Sequence, residues 1–383
     1  MKKKLIFLLN VFIVLSLVFC LKFANAEEPF VIGLSVALSG GGAAYGNSYK
    51  NGTEMAVEEI NKAGGIKGVP LKLLVDDNKL SPSEAVLIAK KTFPNVDASI
   101  VGVSGSCVLA VLPLAAEYHV SVFGPGIATI QVTEQGSKWV FRTHFNDRVG
   151  AVAFVDYLVN TLKLKRIAIA NEDRDYGMGG ATAIKEALAK LNLKPVAEER
   201  FTTGMIDFTP IVARLKNANP QAIAIWGYYG ETSILVKQAK EAGLNVPMGG
   251  ANAFDSPIFP KLAGPASDNI IFVNPYFPDP NDSKIQNFIG RYEQKYASKP
   301  DVYVVNCYDS TYIIAEAMKK AGKNKDKIRD AVRAIKFRGI NQELTFDENG
   351  DNLRPIHIVE WKDGKQRKIL TTDIKEIVKK IKK

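Results

Sequence analysis

The sequence predicts an α/β protein of two lobes, each a mainly parallel sheet flanked by helices. Three observations predict it. First, residues 30–36 form an apolar run that ends in the glycine loop Ser39-Gly40-Gly41-Gly42. Met55, Ala56, Glu59, Ile60 and Ala63 then fall at helical spacing, Gly64-Gly65 stops the helix, and residues 71–75 form a second apolar run that ends on Asp76-Asp77. Strand, glycine loop, helix, strand is the opening unit of a doubly wound parallel sheet, in which ligands sit beyond the carboxyl ends of the strands. Second, the alternation continues and begins afresh near residues 143–147. Third, setting aside the first 26 of 383 residues leaves 357, more than a single hydrophobic core usually serves.

In the first series, residues 81–93 read as a helix, because Ser81 caps it, Pro82 takes the first helical position and Glu84 lies in the first turn. Residues 98–103 are a buried strand, and Ser104-Gly105-Ser106 opens a helix that runs to Tyr118. Residues 120–123 and 139–142 are further strands. In the second series, residues 147–162 have helical periodicity, and 166–170 form a strand followed by the loop Asp173-Arg174-Asp175-Tyr176-Gly177. Helices are predicted over 182–191, 208–216 and 230–242, the last ended by Gly243, with strands over 221–226 and 246–249. Helices at 282–296, 302–321 and 325–335 follow, then strands at 344–346 and 356–361. The proline-rich segment 274–280 and the turn 347–351 join 143–147 as three crossings between lobes. That makes a three-strand hinge with a ligand cleft between two stiff halves. The predicted lobes are residues 27–146 with 275–347, and residues 147–274 with 348–383.

The first 26 residues read as a cleaved secretory signal. Lys2-Lys3-Lys4 are a basic start, residues 5–21 are apolar apart from Asn10 and Ser16, and Ala24-Asn25-Ala26 is a small-x-small cleavage site. As a helix that apolar run spans about 25 Å, short of the ~30 Å core of a bilayer. The formal charge of +10, less the four lysines of this segment, leaves +6, much of it in the last nine residues. That cluster reads as a solvated helix end. No basic stripe with aromatics or reader motif accompanies it, so nucleic acid is not an expected partner. Cys107 and Cys307 remain, and their pairing is left open, two buried free thiols being the plainer state. Three histidines at no ligand spacing predict no metal site.

The order and spacing of several short pieces over residues 27–383 carry a family resemblance. They are Ala44-Tyr45-Gly46, Ala63-Gly64-Gly65-Ile66 with Asp76-Asp77, residues 136–142, and Asp175-Tyr176-Gly177. Asp207-Phe208, Arg214-Leu215, residues 238–243, 308–312 and 345–350 continue the series. The chain resembles the branched-chain amino acid–binding proteins of ABC importers, the type I periplasmic binding proteins. The resemblance implies a monomeric flytrap in the periplasm, without cofactor or catalysis, that closes on a small solute and hands it to membrane permease subunits. A sensor of the same fold, working with a signalling receptor, is the alternative.

The residues expected to bind the solute combine local chemistry with the resemblance. Ser106 lies where a strand ends and a helix begins, and a hydroxyl with free amides at a helix start makes a carboxylate site. By resemblance, Thr129 adds a hydroxyl and an amide, the Ile127 carbonyl accepts from a ligand ammonium, and Tyr45, Tyr176 and Tyr228 complete an aromatic cage, with Trp226 and Tyr229 either beside it or packing the second lobe. Relatives place an acid for the ammonium at or beside position 251, where this chain has Ala251 followed by Asn252. A buried ammonium without a charge partner is costly, so a plain carboxylate is expected to fit better than an amino acid, and the solute is left as small and carboxylate-bearing. The relatives' disulfide partner is missing from Asn78-Lys79-Leu80, which leaves Cys107 free. An esterase reading of Gly102-Val103-Ser104-Gly105-Ser106 fails because Ser106 replaces the last glycine of the nucleophile elbow.

Overall fold

Two separate sheets organise the chain, and the order of their strands explains where a ligand can sit. A computed structural model describes residues 27–352 and 354–382; the leader predicted over residues 1–26 lies outside the described residues. The first sheet holds β1 (Phe30–Val36), β2 (Leu71–Asp77), β3 (Ala98–Val101), β4 (Ser121–Phe123) and β5 (Val140–Phe141) in the order β2-β1-β3-β4-β5, all parallel. The second holds β6 (Ile167–Glu172), β7 (Ala197–Phe201), β8 (Ala222–Trp226), β9 (Met248–Gly250) and β10 (Ile270–Asn274) in parallel. After the small antiparallel pair β11 (Phe337–Arg338) and β12 (Glu343–Leu344), an antiparallel hairpin of β13 (Ile356–Lys362) and β14 (Lys365–Thr372) extends this sheet, giving β14-β13-β10-β9-β8-β6-β7.

Each sheet is buried on both faces, as parallel sheets must be. One face of the first sheet packs the Ala43–Lys62 and Val302–Ala321 helices, where Ile32, Leu34, Met55, Ile60, Val305 and Ile314 share one core; Val108, Val111 and Leu112 of the Gly105–Glu117 helix belong to another with Val101 and Val122. The second sheet separates a core around Phe154, Ile184 and Trp226 from one around Phe208, Leu215 and Phe272. The chain leaves the first sheet after β5, returns to its helices after β10, and comes back to the second sheet at β13. Two of these passages are tied together. The Arg142 amide donates to Gly350 O at 2.9 Å and the Asn352 amide to Arg142 O at 3.0 Å.

Several elements differ from the sequence reading. The helix predicted over 182–191 spans Asp175–Ala189. Its first turns carry Gly177, Gly179 and Gly180, poor helix formers alone, but Gly180 lies against the indole of Trp226, where any Cβ would clash. Tertiary contact, not propensity, starts that helix. Strands β7, β10 and β14 were not anticipated. β7 reads Ala-Glu-Glu-Arg-Phe at a sheet edge, with mostly polar side chains. Residues 157–161 loosen into a π turn at the end of the Asp147–Asp156 helix.

Candidate functional site

The walls of one cleft come from the carboxyl ends of strands in both sheets. After β1, the first turn of the Ala43–Lys62 helix presents Tyr45; after β3 come Val103 and Gly105; after β4 comes Gly126-Ile127-Ala128-Thr129. Opposite them, Tyr176 follows β6, Tyr228 follows β8 and Asn252 follows β9. In both sheets the strand order reverses at this point, between β1 and β3 and between β6 and β8, which is where an open α/β sheet leaves a crevice. Tyr303, in the first turn of the Val302–Ala321 helix, closes one side.

Aromatic rings fill most of the gap. The Tyr45 centroid lies 5.5 Å from that of Tyr228 and 5.0 Å from that of Tyr303, and Tyr176 stacks on Tyr228 at 5.4 Å. The cavity left between them is about 20 Å³, room for about one water. Hydrogen bonds join the walls. Tyr228 OH donates to Val103 O at 3.1 Å, the Tyr229 amide to Tyr45 OH at 3.2 Å, and Asn252 Nδ2 to Tyr303 OH at 2.9 Å. Burial holds the hydroxyls of Tyr45, Tyr176 and Tyr303 protonated, their pKa values well above the ordinary one. None of the residues lining the cavity is basic.

The start of the Gly105–Glu117 helix is the polar end of the site. Ser104 is its N-cap residue but makes no side-chain cap; its Oγ lies 2.7 Å from that of Ser106. The first amides of a helix have no acceptor within it. Here the Ser106 amide donates to Asp175 Oδ2, 3.2 Å away on the opposite wall. Gly105 is required, because a Cβ there would run into Thr129 Oγ1. That close approach brings the Thr129 hydroxyl to the helix start. Val103, just before, has φ +74°, an outlier for a β-branched residue; its carbonyl faces Tyr228 as a result.

The loop bearing Ile127 and Thr129 is held from behind by Arg142, whose side chain has no exposure. Its Nη1 donates to Thr129 O at 2.7 Å and Ile127 O at 3.3 Å, its Nη2 to Thr133 Oγ1, and its Nε to Asp351 Oδ1 at 2.6 Å. The Ile127 carbonyl, expected to face a ligand ammonium, therefore already accepts from a guanidinium.

The structure brings Tyr45, Ile127, Thr129, Tyr176 and Tyr228 around one cleft, with Ser106 at its edge through its amide. It does not bring Ala251 there. Ala251 is 1% exposed and packs in the second-lobe core with Val149 and Ile271, because extended backbone turns its small side chain inward; Asn252 lines the cleft instead. Trp226 belongs to the same core, and its Nε1 donates to Asp147 at 2.8 Å. Tyr303 and Asp147 escaped the sequence reading. Tyr303 sits 258 residues after Tyr45 in an ordinary helix, and an aspartate in a helix's first turn usually only complements the helix dipole. His357 lies on β13, its Nδ1 2.9 Å from Thr371 Oγ1, away from Ser104 and Ser106, so no nucleophile–base pair forms. Cys107 and Cys307 are free and buried. No helix among the described residues is long and apolar enough to cross a membrane.

Comparison with known proteins agrees with this architecture. The family model described as periplasmic binding protein matches residues 29–366. The leucine-, isoleucine-, valine-, threonine- and alanine-binding protein of Pseudomonas aeruginosa is 29% identical over 331 residues, 86% of this chain and 88% of that protein. The branched-chain amino acid transporter substrate-binding protein LivJ of Streptococcus pneumoniae, in complex with isoleucine, superposes with a TM-score of 0.83 at 26% identity, covering 90% of this chain and 99% of LivJ. A Rhodopseudomonas palustris solute-binding protein in complex with benzoate shares the fold, with a TM-score of 0.83 at 20% identity, covering 90% and 97%. Members of this group bind small solutes, work with ABC transporter permeases and are not enzymes. With its two-sheet architecture and interlobe cleft, the chain belongs to the periplasmic binding proteins of type I fold, as a substrate-binding protein of the branched-chain amino acid ABC transporter family.

Proposed function

We propose that the protein captures a small carboxylate-bearing solute between its two lobes and delivers it to the permease of an ABC importer. In this reading residues 1–26 direct export and are cleaved, the mature chain works as a periplasmic monomer, and residues 27–146 with 275–347 close against 147–274 with 348–383. Tyr45, Tyr176 and Tyr228 enclose the solute, while Ser106 and Thr129 take its carboxylate. One observation carries the reading: the amide of Ser106, at the mouth of the first sheet, already holds a carboxylate, that of Asp175. Backbone amides and a helix start are suited to that group. The amino acids named for the Pseudomonas relative and the isoleucine of LivJ are of the same class.

The test is a thermal-shift screen of amino acids and aliphatic and aromatic acids, followed by calorimetry on Ser106→Ala/Thr129→Ala. A solute that binds the native state raises the melting temperature by mass action. The double variant is expected to lose at least tenfold in affinity with its circular dichroism unchanged. Unaltered affinity would refute the carboxylate grip.

A further inference from the structure

We propose that Asp255 is a clasp between the two halves of the molecule: carried on the second sheet, it caps a helix that packs on the first, and its charge sets how readily the halves close on a solute. The inference rests on the halves closing around the cleft. Asp255 ends the short turn Asn252–Asp255 that follows β9, and it is 2% exposed. Its Oδ1 accepts from Gln366 Nε2 of β14 at 2.7 Å, which anchors it to its own sheet. Its Oδ2 accepts at 2.7 Å from the amide of Val302, the first residue of the Val302–Ala321 helix on the first sheet. The same turn reaches that helix a second time, where Asn252 Nδ2 donates to Tyr303 OH at 2.9 Å. Asp255 is not among the residues lining the solute cavity, so it bears on a solute only through the position of the halves.

The helix start already has a cap of its own. Asp301 is buried and accepts from the Val304 amide at 2.9 Å and from Ser48 Oγ at 2.7 Å. Two buried carboxyls, one from each half, therefore meet at one helix start. A helix N-terminus carries about half a positive charge, which suits one carboxylate and not two. Asp301 and the Tyr276 hydroxyl are the titratable groups that face Asp255, and the Asn274 amide lies beside it. In the groove beyond, Arg367 pairs with Glu360 and Lys368 with Asp279. Lys299, Lys365 and Glu293 line the same groove, and none of them bonds to Asp255. Among the described residues, then, no cation offsets the second charge. The neutral neighbours suit a proton instead. Gln366 Oε1, both polar atoms of the Asn274 side chain and Tyr276 OH have no hydrogen-bond partner among the described residues. A side-chain amide can turn over, so Gln366 serves either form of Asp255, donating to the carboxylate and accepting from the acid.

Burial, and then Asp301, push the Asp255 carboxyl up to about 7 where the halves meet. In an open form, wetted and parted from Asp301, it returns toward the ordinary carboxylate value near 4. The closed form thus holds a proton that the open form releases between those two values. Closure is favoured as pH falls through that window, and the advantage is lost as pH rises through 7.

The test reads closure in the solute-free chain. Spin labels on Leu87→Cys and Ile206→Cys, exposed positions on the two halves, report the distance between them, and the native Cys107 and Cys307 are buried. From pH 5.5 to pH 8.5 the closed-to-open ratio should fall at least about tenfold with Asp255 in place. Asp255→Asn keeps an acceptor for the Val302 amide and carries no charge, so its ratio should stay within about twofold across the same range. Asp255→Ala removes the clasp and should favour the open form at both ends of the range. Calorimetry with isoleucine and benzoate, the solutes of two relatives, adds a second arm. Whichever binds should bind on the order of tenfold tighter at pH 6 than at pH 8 in the wild type, and about equally at both in Asp255→Asn. A wild-type ratio that does not move with pH, or one that moves as much in Asp255→Asn, overturns the clasp while the cleft remains a solute site. Should no solute of the thermal-shift screen bind, the solute reading fails, and the label distances still decide the clasp.

Discussion

Asp175 Oδ2 lies 3.2 Å from the backbone nitrogen of Ser106, and the two residues stand on opposite walls of the cleft. Asp175 begins the helix that follows β6, and Ser106 is in the first turn of the helix that follows β3. One lobe thus offers the other a carboxylate at the point where the solute's carboxylate is proposed to dock.

A solute must displace Asp175 to reach that amide, and its apparent affinity is reduced by the fraction of molecules in which Asp175 holds it. Asp175→Asn keeps the side chain's size and removes its charge. Calorimetry with the solute from the screen should show tighter binding, on the order of threefold, since exposed contacts of this kind are weak. Weaker or unchanged binding would show that Asp175 helps closure more than it competes.

Arg142 ties the loop of residues 126–129 to the turn of residues 347–351, because one guanidinium serves Thr129, Ile127, Thr133 and Asp351. Removing one partner of a buried ion pair strands the other charge, at a cost of about 3–5 kcal/mol. Arg142→Met should lose stability on that scale in urea unfolding and release the carbonyls that shape the loop, so affinity falls as well. A variant that loses less than about 1 kcal/mol would show that the loop is held by its other contacts.

Stability should depend on pH through buried acids. Burial raises the carboxyls of Asp147, Asp255 and Asp309 to about 7 in the native protein. The unfolded chain releases these protons near the ordinary carboxylate value, so the native state binds more protons between the two, and the contribution is lost as pH rises through 7. Two histidines act in the opposite sense. Burial lowers His144 to about 3 and His357 to about 4, and stability from keeping them neutral is lost as pH falls below the unfolded value near 6.5. The melting temperature should therefore rise from pH 8 to pH 6.5. Asp309→Asn, remote from the cleft and still able to accept from the Ile340 amide (3.0 Å in the wild type), should flatten that rise. A flat profile in the wild type would mean that these carboxyls are charged in the native state.

The alternation of apolar runs and amphipathic segments was sufficient to read the two-sheet architecture, because a parallel strand buried on both faces must be apolar and its crossover helix must be amphipathic. The Val302–Ala321 helix matched its predicted span. Strand β7 was illegible because an edge strand carries Glu198, Glu199 and Arg200 on a backbone that only its neighbour holds straight. The start of the Asp175–Ala189 helix was illegible because its glycines are chosen for the indole of Trp226, from another part of the chain.

The sequence by itself determined the fold class and the chemistry at the strand ends: a serine at a helix start, a threonine loop and tyrosines after successive strands, all local consequences of strand–loop–helix order. Tertiary structure decided which of these groups share a space. It turned Ala251 into the core, brought Tyr303 and Asn252 together across the cleft, set Arg142 behind the loop of residues 126–129, and left one oxygen of Asp147 without a hydrogen-bond partner among the described residues. Those relations join residues far apart along the chain, and a buried charge takes its meaning from neighbours that only the folded packing supplies.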